Sequence, residues 1–148
     1  MKLILVIVLS LLVGSGEWLT DFDAAKKIAA KEGKYILLNF SGSDWCAPCI
    51  KMKSEVFESQ TFLSMAEEHM ILVRADFPRS KKNQLSTDQA KHNEALAERY
   101  NALGKFPLTL LIDENGKVIR EWDGYMFGSQ NKFMNDLNKV FLKHEQSE

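Results

Sequence analysis

The chain is expected to fold as one α/β domain with a central mixed four-stranded sheet flanked by helices. Three observations carry this expectation. Apolar runs at residues 35–40, 70–76 and 107–113 are separated by stretches of helical period, so the first two strands are joined by a crossover helix and pair in parallel. Glu114-Asn115-Gly116 between the third run and residues 117–122 is a hairpin signal, which adds an antiparallel edge. The composition, 45% hydrophobic and 26% charged over 148 residues, is that of a globular chain with a single core.

The elements follow in order. Thr20-Asp21-Phe22-Asp23 is a capping-box pattern with Thr20 as N-cap, and a helix is expected over 21–32, closed by Gly33. Its inward stripe is Phe22, Ala25, Ile28 and Ala29. The run 35–40 does not alternate, which suits a central strand covered on both faces. After a loop at 41–44, a helix is expected from near Cys46 toward Phe57, then a continuation capped by Thr61 and running to about His69. Residues 70–76 form the second strand. Ser86-Thr87-Asp88-Gln89 caps the next helix, which carries Leu96, Ala97 and Tyr100 and ends near Leu103-Gly104. The hairpin strands follow, and Ser129 is expected to cap a last helix with Phe133, Leu137, Val140 and Phe141 on one face.

Residues 1–16 stand apart. Met1-Lys2 is a short positive start, residues 3–13 are apolar except for Ser10, and Val13-Gly14-Ser15-Gly16 supplies small residues for cleavage. This is the pattern of a secretory signal peptide, leaving a domain at 17–148. The apolar run is too short for a hydrocarbon core of about 30 Å, so no stable membrane insertion is expected after cleavage. No cysteine directly follows the run to take a lipid. The expected address is outside the cytoplasm, which in a Gram-negative cell is the periplasm. A net charge of −1 gives no nucleic-acid surface. Arg79, Lys81 and Lys82 read as a solvated basic loop. No exposed heptad and no surplus cysteine suggests a dimer, so a monomer is expected.

The chemistry is concentrated in Trp45-Cys46-Ala47-Pro48-Cys49, which holds both cysteines of the chain. A strand, a short loop, and Cys-x-x-Cys opening a helix suit thiol–disulfide exchange. The helix start offers free N–H groups and partial positive charge, which favour a thiolate. A second sulfur one turn on can attack a mixed disulfide and release the partner. Three other readings stand beside this one. Half a zinc site lacks its other ligands, because no second Cys-x-x-Cys exists and His69, His92 and His144 are scattered. A purely structural bridge across so short a loop removes little chain entropy. Two unpaired core cysteines fit poorly with Pro48 between them, since proline suits a first helical turn. The redox pair is the reading the pattern favours.

The order of elements, with Trp-Cys-x-Pro-Cys after a strand and Phe106-Pro107 before the hairpin, resembles the thioredoxin fold. Phe40-Ser41-Gly42-Ser43-Asp44-Trp45-Cys46, Glu55-Val56-Phe57, Asp76-Phe77-Pro78, and Asn93 with Leu96 and Tyr100 narrow the resemblance to exported bacterial thioredoxin-like proteins. The resemblance covers residues 17–148.

It implies roles residue by residue. Cys46 would be the exposed attacking thiol and Cys49 the buried resolving thiol. Trp45 would flank the site. Pro107 would be a cis-proline facing the disulfide, leaving the backbone of Phe106 to pair with an extended substrate segment. Asn39 occupies the place where thioredoxins carry a buried acid that takes the resolving thiol's proton. An amide cannot do so near neutral pH, which leaves Asp44 or water as substitutes. Leu108 follows Pro107 where thioredoxins have threonine. Ala47-Pro48 replaces Gly-Pro, and Pro48 offers no N–H to the Cys46 thiolate, which tends toward a more reducing pair.

The implied activity is disulfide reduction or isomerisation on exported proteins, with electrons from a membrane donor. No flavin, nicotinamide or metal motif is present, so the cysteine pair would be its own cofactor. The rival readings are a binding or chaperone module on the same fold, favoured by Asn39, and a redox sensor with little turnover.

Overall fold

The computed structural model describes residues 16–145, and the expected signal peptide falls almost wholly outside them. The elements run β1 (Trp18–Leu19), α1 (Phe22–Glu32), β2 (Tyr35–Ser41), α2 (Ala47–Met52), a π-helical turn (Lys53–Phe57), α3 (Gln60–His69), β3 (Met70–Asp76), a 3-10 turn (Lys81–Asn83), α4 (Thr87–Tyr100), β4 (Leu108–Ile112), β5 (Val118–Asp123) and α5 (Gln130–Glu145). The sheet has five strands in the order β1-β3-β2-β4-β5. β1 and β2 pair with β3 in parallel, while β2/β4 and β4/β5 are antiparallel.

The α/β class and the mixed sheet are as expected, but the sheet has five strands rather than four. β1 adds two residues to the edge of β3, Trp18 beside Leu72 and Leu19 beside Val73. Two residues are too few to show a period in sequence. Two caps also move. Asp21, not Thr20, opens α1, accepting the Ala24 N–H at 2.9 Å. Ser59, not Thr61, opens α3, accepting the Phe62 N–H at 3.2 Å. In both places two residues within two positions of each other could cap, and the backbone decides between them: each true N-cap is extended. Gly33 closes α1 in the left-handed region at φ 64°, and Ser86 opens α4, as expected.

α4 ends earlier than expected, at Tyr100. The buried Asn101 turns the chain there. Its side chain donates to the Lys105 carbonyl and accepts the Lys105 N–H, both at 2.8 Å. This clamp delivers Phe106 and Pro107 to the start of β4.

β2 is covered on both faces, so its side chains divide between two cores. Ile36, Leu38 and Phe40 pack with α1 and α4. Leu37 packs with Met52, Val56, Phe62 and Leu137 on the opposite side. Asn39 and Ser41 follow Leu37 in the strand's alternation, which directs them toward α2. The segment carrying the cysteines lies on that side.

Candidate active site

The loop leaving β2 is folded tightly before it reaches the sulfurs. The Gly42 carbonyl accepts the N–H of Cys46 at 2.9 Å and that of Trp45 at 3.2 Å. A Cβ on Gly42 would overlap the Trp45 indole, so glycine is required by close approach rather than by φ. Asp76 at the end of β3 accepts the Ser43 N–H at 2.9 Å and also its hydroxyl.

Cys46 is the N-cap of α2, and its Sγ accepts the Cys49 N–H at 3.2 Å. Pro48 sits in the first turn, where a missing N–H is harmless, and Ala47 at the helix start is exposed. The two cysteines are joined in a disulfide, with Cα atoms 5.2 Å apart. Each is only 4% exposed. In this oxidised state Cys46 is therefore no more open than Cys49, and the exposed Cys46 implied by the resemblance is not what the disulfide form presents.

Trp45 is held on three sides. Its indole N–H donates to the Phe77 carbonyl at 2.7 Å. Phe106 meets it edge-on at 5.3 Å, and Phe77 meets Phe106 at 5.5 Å. The Arg79 guanidinium lies 3.8 Å from the centre of a Trp45 ring, a cation–π contact. Phe77 and Arg79 were not expected here. Arg79, read in the sequence as part of a solvated loop, is brought to the site by Asp44. The Asp44 carboxylate accepts the N–H of Arg79 and of Ser80, both at 2.9 Å, and the Asn83 amide at 3.0 Å. These donors, the Arg79 N–H foremost and then Asn83 and Ser80, hold its pKa below the usual carboxylate value. Asp44 is thus an ionised brace for the 79–83 segment, and it is not among the residues lining the space beside Cys49.

Asn39 does lie there. It is buried and donates to Thr109 Oγ1 at 3.0 Å, and that hydroxyl in turn contacts Met52 Sδ at 3.8 Å. A cavity of about 140 Å³ is shared by Asn39, Ser41, Ser43 and Cys49 with Lys53 and Arg74. Pro107 is buried, and its peptide bond with Phe106 is cis. The Pro107 carbonyl accepts the Gly124 N–H at 2.8 Å, which ties the start of β4 to the end of β5.

A second buttress joins the π turn to the loop before α5. The Tyr125 hydroxyl donates to Glu55 at 2.6 Å, and the Gly128 N–H donates to the same carboxylate at 3.2 Å. The Tyr125 bond is the largest cause holding the Glu55 pKa below its ordinary value. Met126 and Phe127 between these donors are exposed, at 77% and 65%. Among the described residues no group of histidine, cysteine or acidic side chains is arranged to hold a metal, and no helix is long and apolar enough to cross a membrane.

Together the sheet order and the Cys-x-x-Cys at the head of the helix after β2 define a thioredoxin-fold protein. The chain belongs to the thioredoxin-like family, whose domain model matches residues 22–141. It is 39% identical over 99 residues to "Disulfide bond reductase DsbH" of Chlamydia pneumoniae, covering 67% of this chain and 58% of that protein. It is 26% identical over 102 residues to "Thioredoxin-related protein DsbJ" of the same organism, covering 69% of this chain and 28% of that one. The chain thus spans about 58% or less of the length of these relatives. Among solved structures, a "DsbH Oxidoreductase" superposes with TM-score 0.70 at 28% identity, covering 84% of this chain and 85% of the other. A thioredoxin from Thermus thermophilus superposes with TM-score 0.64 at 18% identity, over 88% and 90% of the two chains, which speaks for the fold alone.

Proposed function

We propose that this chain is an exported thiol–disulfide oxidoreductase that reduces or isomerises disulfides of envelope proteins. The observation that carries the reading is the Cys46–Cys49 disulfide at the head of α2, with Cys46 Sγ accepting the Cys49 N–H. That hydrogen bond favours charge on Cys46 once the bridge is reduced. The similarity to a protein named as a disulfide bond reductase supports the reductive direction. So does Pro48, which withholds one N–H from the thiolate.

In the proposed cycle the Cys46 thiolate attacks one sulfur of a substrate disulfide, and the other substrate sulfur leaves with the electron pair. The extended segment around the attacked cysteine pairs with the backbone at Phe106, beside Pro107, with Trp45 covering one side. The Cys49 thiolate then attacks Cys46 Sγ, the substrate leaves as a dithiol, and the protein is oxidised. A membrane-bound electron donor would regenerate the dithiol, and no cofactor besides the cysteine pair is needed. The signal-peptide pattern at 1–16 supports export, and the chain works as a monomer in this reading. Asn39 favours the rival of a scaffold that binds without turnover, because an amide cannot take the Cys49 proton.

Cys49→Ala decides between these. It removes the resolving sulfur, so a disulfide-bonded substrate such as insulin is expected to accumulate as a mixed disulfide on Cys46, releasable by dithiothreitol. A variant that binds substrate but never forms the covalent adduct contradicts the proposed activity.

A further inference from the structure

The cavity of about 140 Å³ beside Cys49 sets Asn39, Ser41, Ser43, Lys53 and Arg74 among the apolar Ile50 and Phe57, and it has room for water, which occupies about 30 Å³ per molecule in the liquid. Its ionisable lining besides Cys49 is cationic: Lys53 and Arg74. No carboxylate lines it. Arg74 stands on β3 directly beside Asn39 of β2. Its guanidinium stacks on Trp18 at 4.2 Å, and its Nε is buried with no hydrogen-bond partner among the described residues. Burial pulls its pKa below the ordinary arginine value, against the smaller opposing pull of Asp76 and Glu58, yet a guanidinium stays protonated at any working pH.

The surrounding charges do not account for this arrangement. Asp76 is engaged by Ser43. Glu58 is exposed and pairs with Lys53 at 3.4 Å, and the Lys53 side chain is itself 55% exposed, so solvent screens it. Of the two lining cations Arg74 is the one that water screens less, and its buried Nε–H is left to be satisfied. One lining group becomes an anion when the disulfide opens: Cys49.

We propose that Arg74 stabilises the Cys49 thiolate, so that resolution starts from a preformed thiolate rather than by proton transfer to a protein base. The proposal rests on the oxidoreductase reading and says how that site works with Asn39 in place of an acid. The Cys49 proton passes to water. The thiolate attacks Cys46 Sγ of the mixed disulfide, the Cys46–substrate S–S bond breaks, and the substrate sulfur leaves with the electron pair and takes a proton from solvent. The cysteine pair loses two electrons and the substrate disulfide gains two.

The test uses Cys46→Ser, in which Cys49 is the sole thiol of the chain. Thiolate absorbance near 240 nm is followed across pH. Adding Arg74→Met is expected to raise the Cys49 pKa by about one pH unit or more, roughly a tenfold loss of thiolate at neutral pH. Arg74→Lys is expected to restore most of it, which a merely structural role would not. An unchanged pKa in a folded Arg74→Met protein overturns the proposal. Should that variant not fold, Arg74→Gln in the same background is read instead. It keeps a polar side chain but removes the charge, and the Cys49 pKa is again expected to rise, while an unchanged value overturns the proposal. Insulin reduction by the unaltered chain is measured separately. Its absence, with the titration shifts intact, would remove the oxidoreductase reading and leave the electrostatics standing.

Discussion

Cys46→Ser is expected to bring dithiothreitol-driven insulin reduction down to the uncatalysed background while the fold survives. The hydroxyl is close in size to the thiol and can still accept the Cys49 N–H, so α2 keeps its N-cap. What is lost is the nucleophile, because a serine hydroxyl has no general base at this site: Asp44 is committed to Arg79, Ser80 and Asn83, and Asn39 is an amide. Turbidity of precipitating insulin checks the first half, and a thermal melt against the reduced wild-type protein checks the second. Residual turnover in this variant would mean that Cys49 can attack unaided. The reading of Cys49 as the resolving thiol would then be wrong.

The largest expected stability loss comes from Phe62→Ala. Phe62 is fully buried, with ring centroids 5.1 Å from Phe57 and 6.5 Å from Trp18. Truncating such a side chain removes apolar contact and leaves a cavity, typically costing about 3–5 kcal/mol. That is a large share of a domain's usual stability of about 5–15 kcal/mol. The loss reaches the site, because Phe57 ends the π turn that follows α2 and lines the cavity beside Cys49. Urea unfolding is expected to show a lower midpoint with an unchanged slope. The neighbouring Thr61→Ala is a useful contrast. Its side chain is exposed and Ser59 supplies the cap, so its effect is expected within about 0.5 kcal/mol. A comparable loss at Thr61 would overturn the capping assignment.

The parts legible in the sequence were those fixed by neighbours along the chain. β3 is legible over 70–76, where it is found, because Met70-Ile71-Leu72-Val73 opens it as an unbroken apolar run. Gly33 and Ser86 were legible as caps, because helix ends are satisfied by residues a few positions away. The cysteine pair was legible for the same reason, since its spacing places one sulfur at the N-cap and the other in the first turn. The rest depends on contacts between distant segments. β1 is a strand only because β3 offers it an edge. Arg79 reaches Trp45 only because Asp44, 35 positions earlier, holds its backbone. The π turn carries no distinctive composition. Arg74 has no local motif around it, and its place beside Asn39 appears only when β2 pairs with β3.

The central claim is that Cys46 and Cys49 form a working redox couple, and its most direct test is the reduction potential of the pair. The protein is equilibrated in dithiothreitol or glutathione buffers of graded ratio, and thiol alkylation or the fluorescence of Trp45 reports the reduced fraction. A two-electron transition at about −270 mV, in the range of thioredoxin, is the predicted result for a reductant of envelope disulfides. A pair that fails to exchange with either buffer would contradict the claim and leave a thioredoxin fold that binds without redox chemistry.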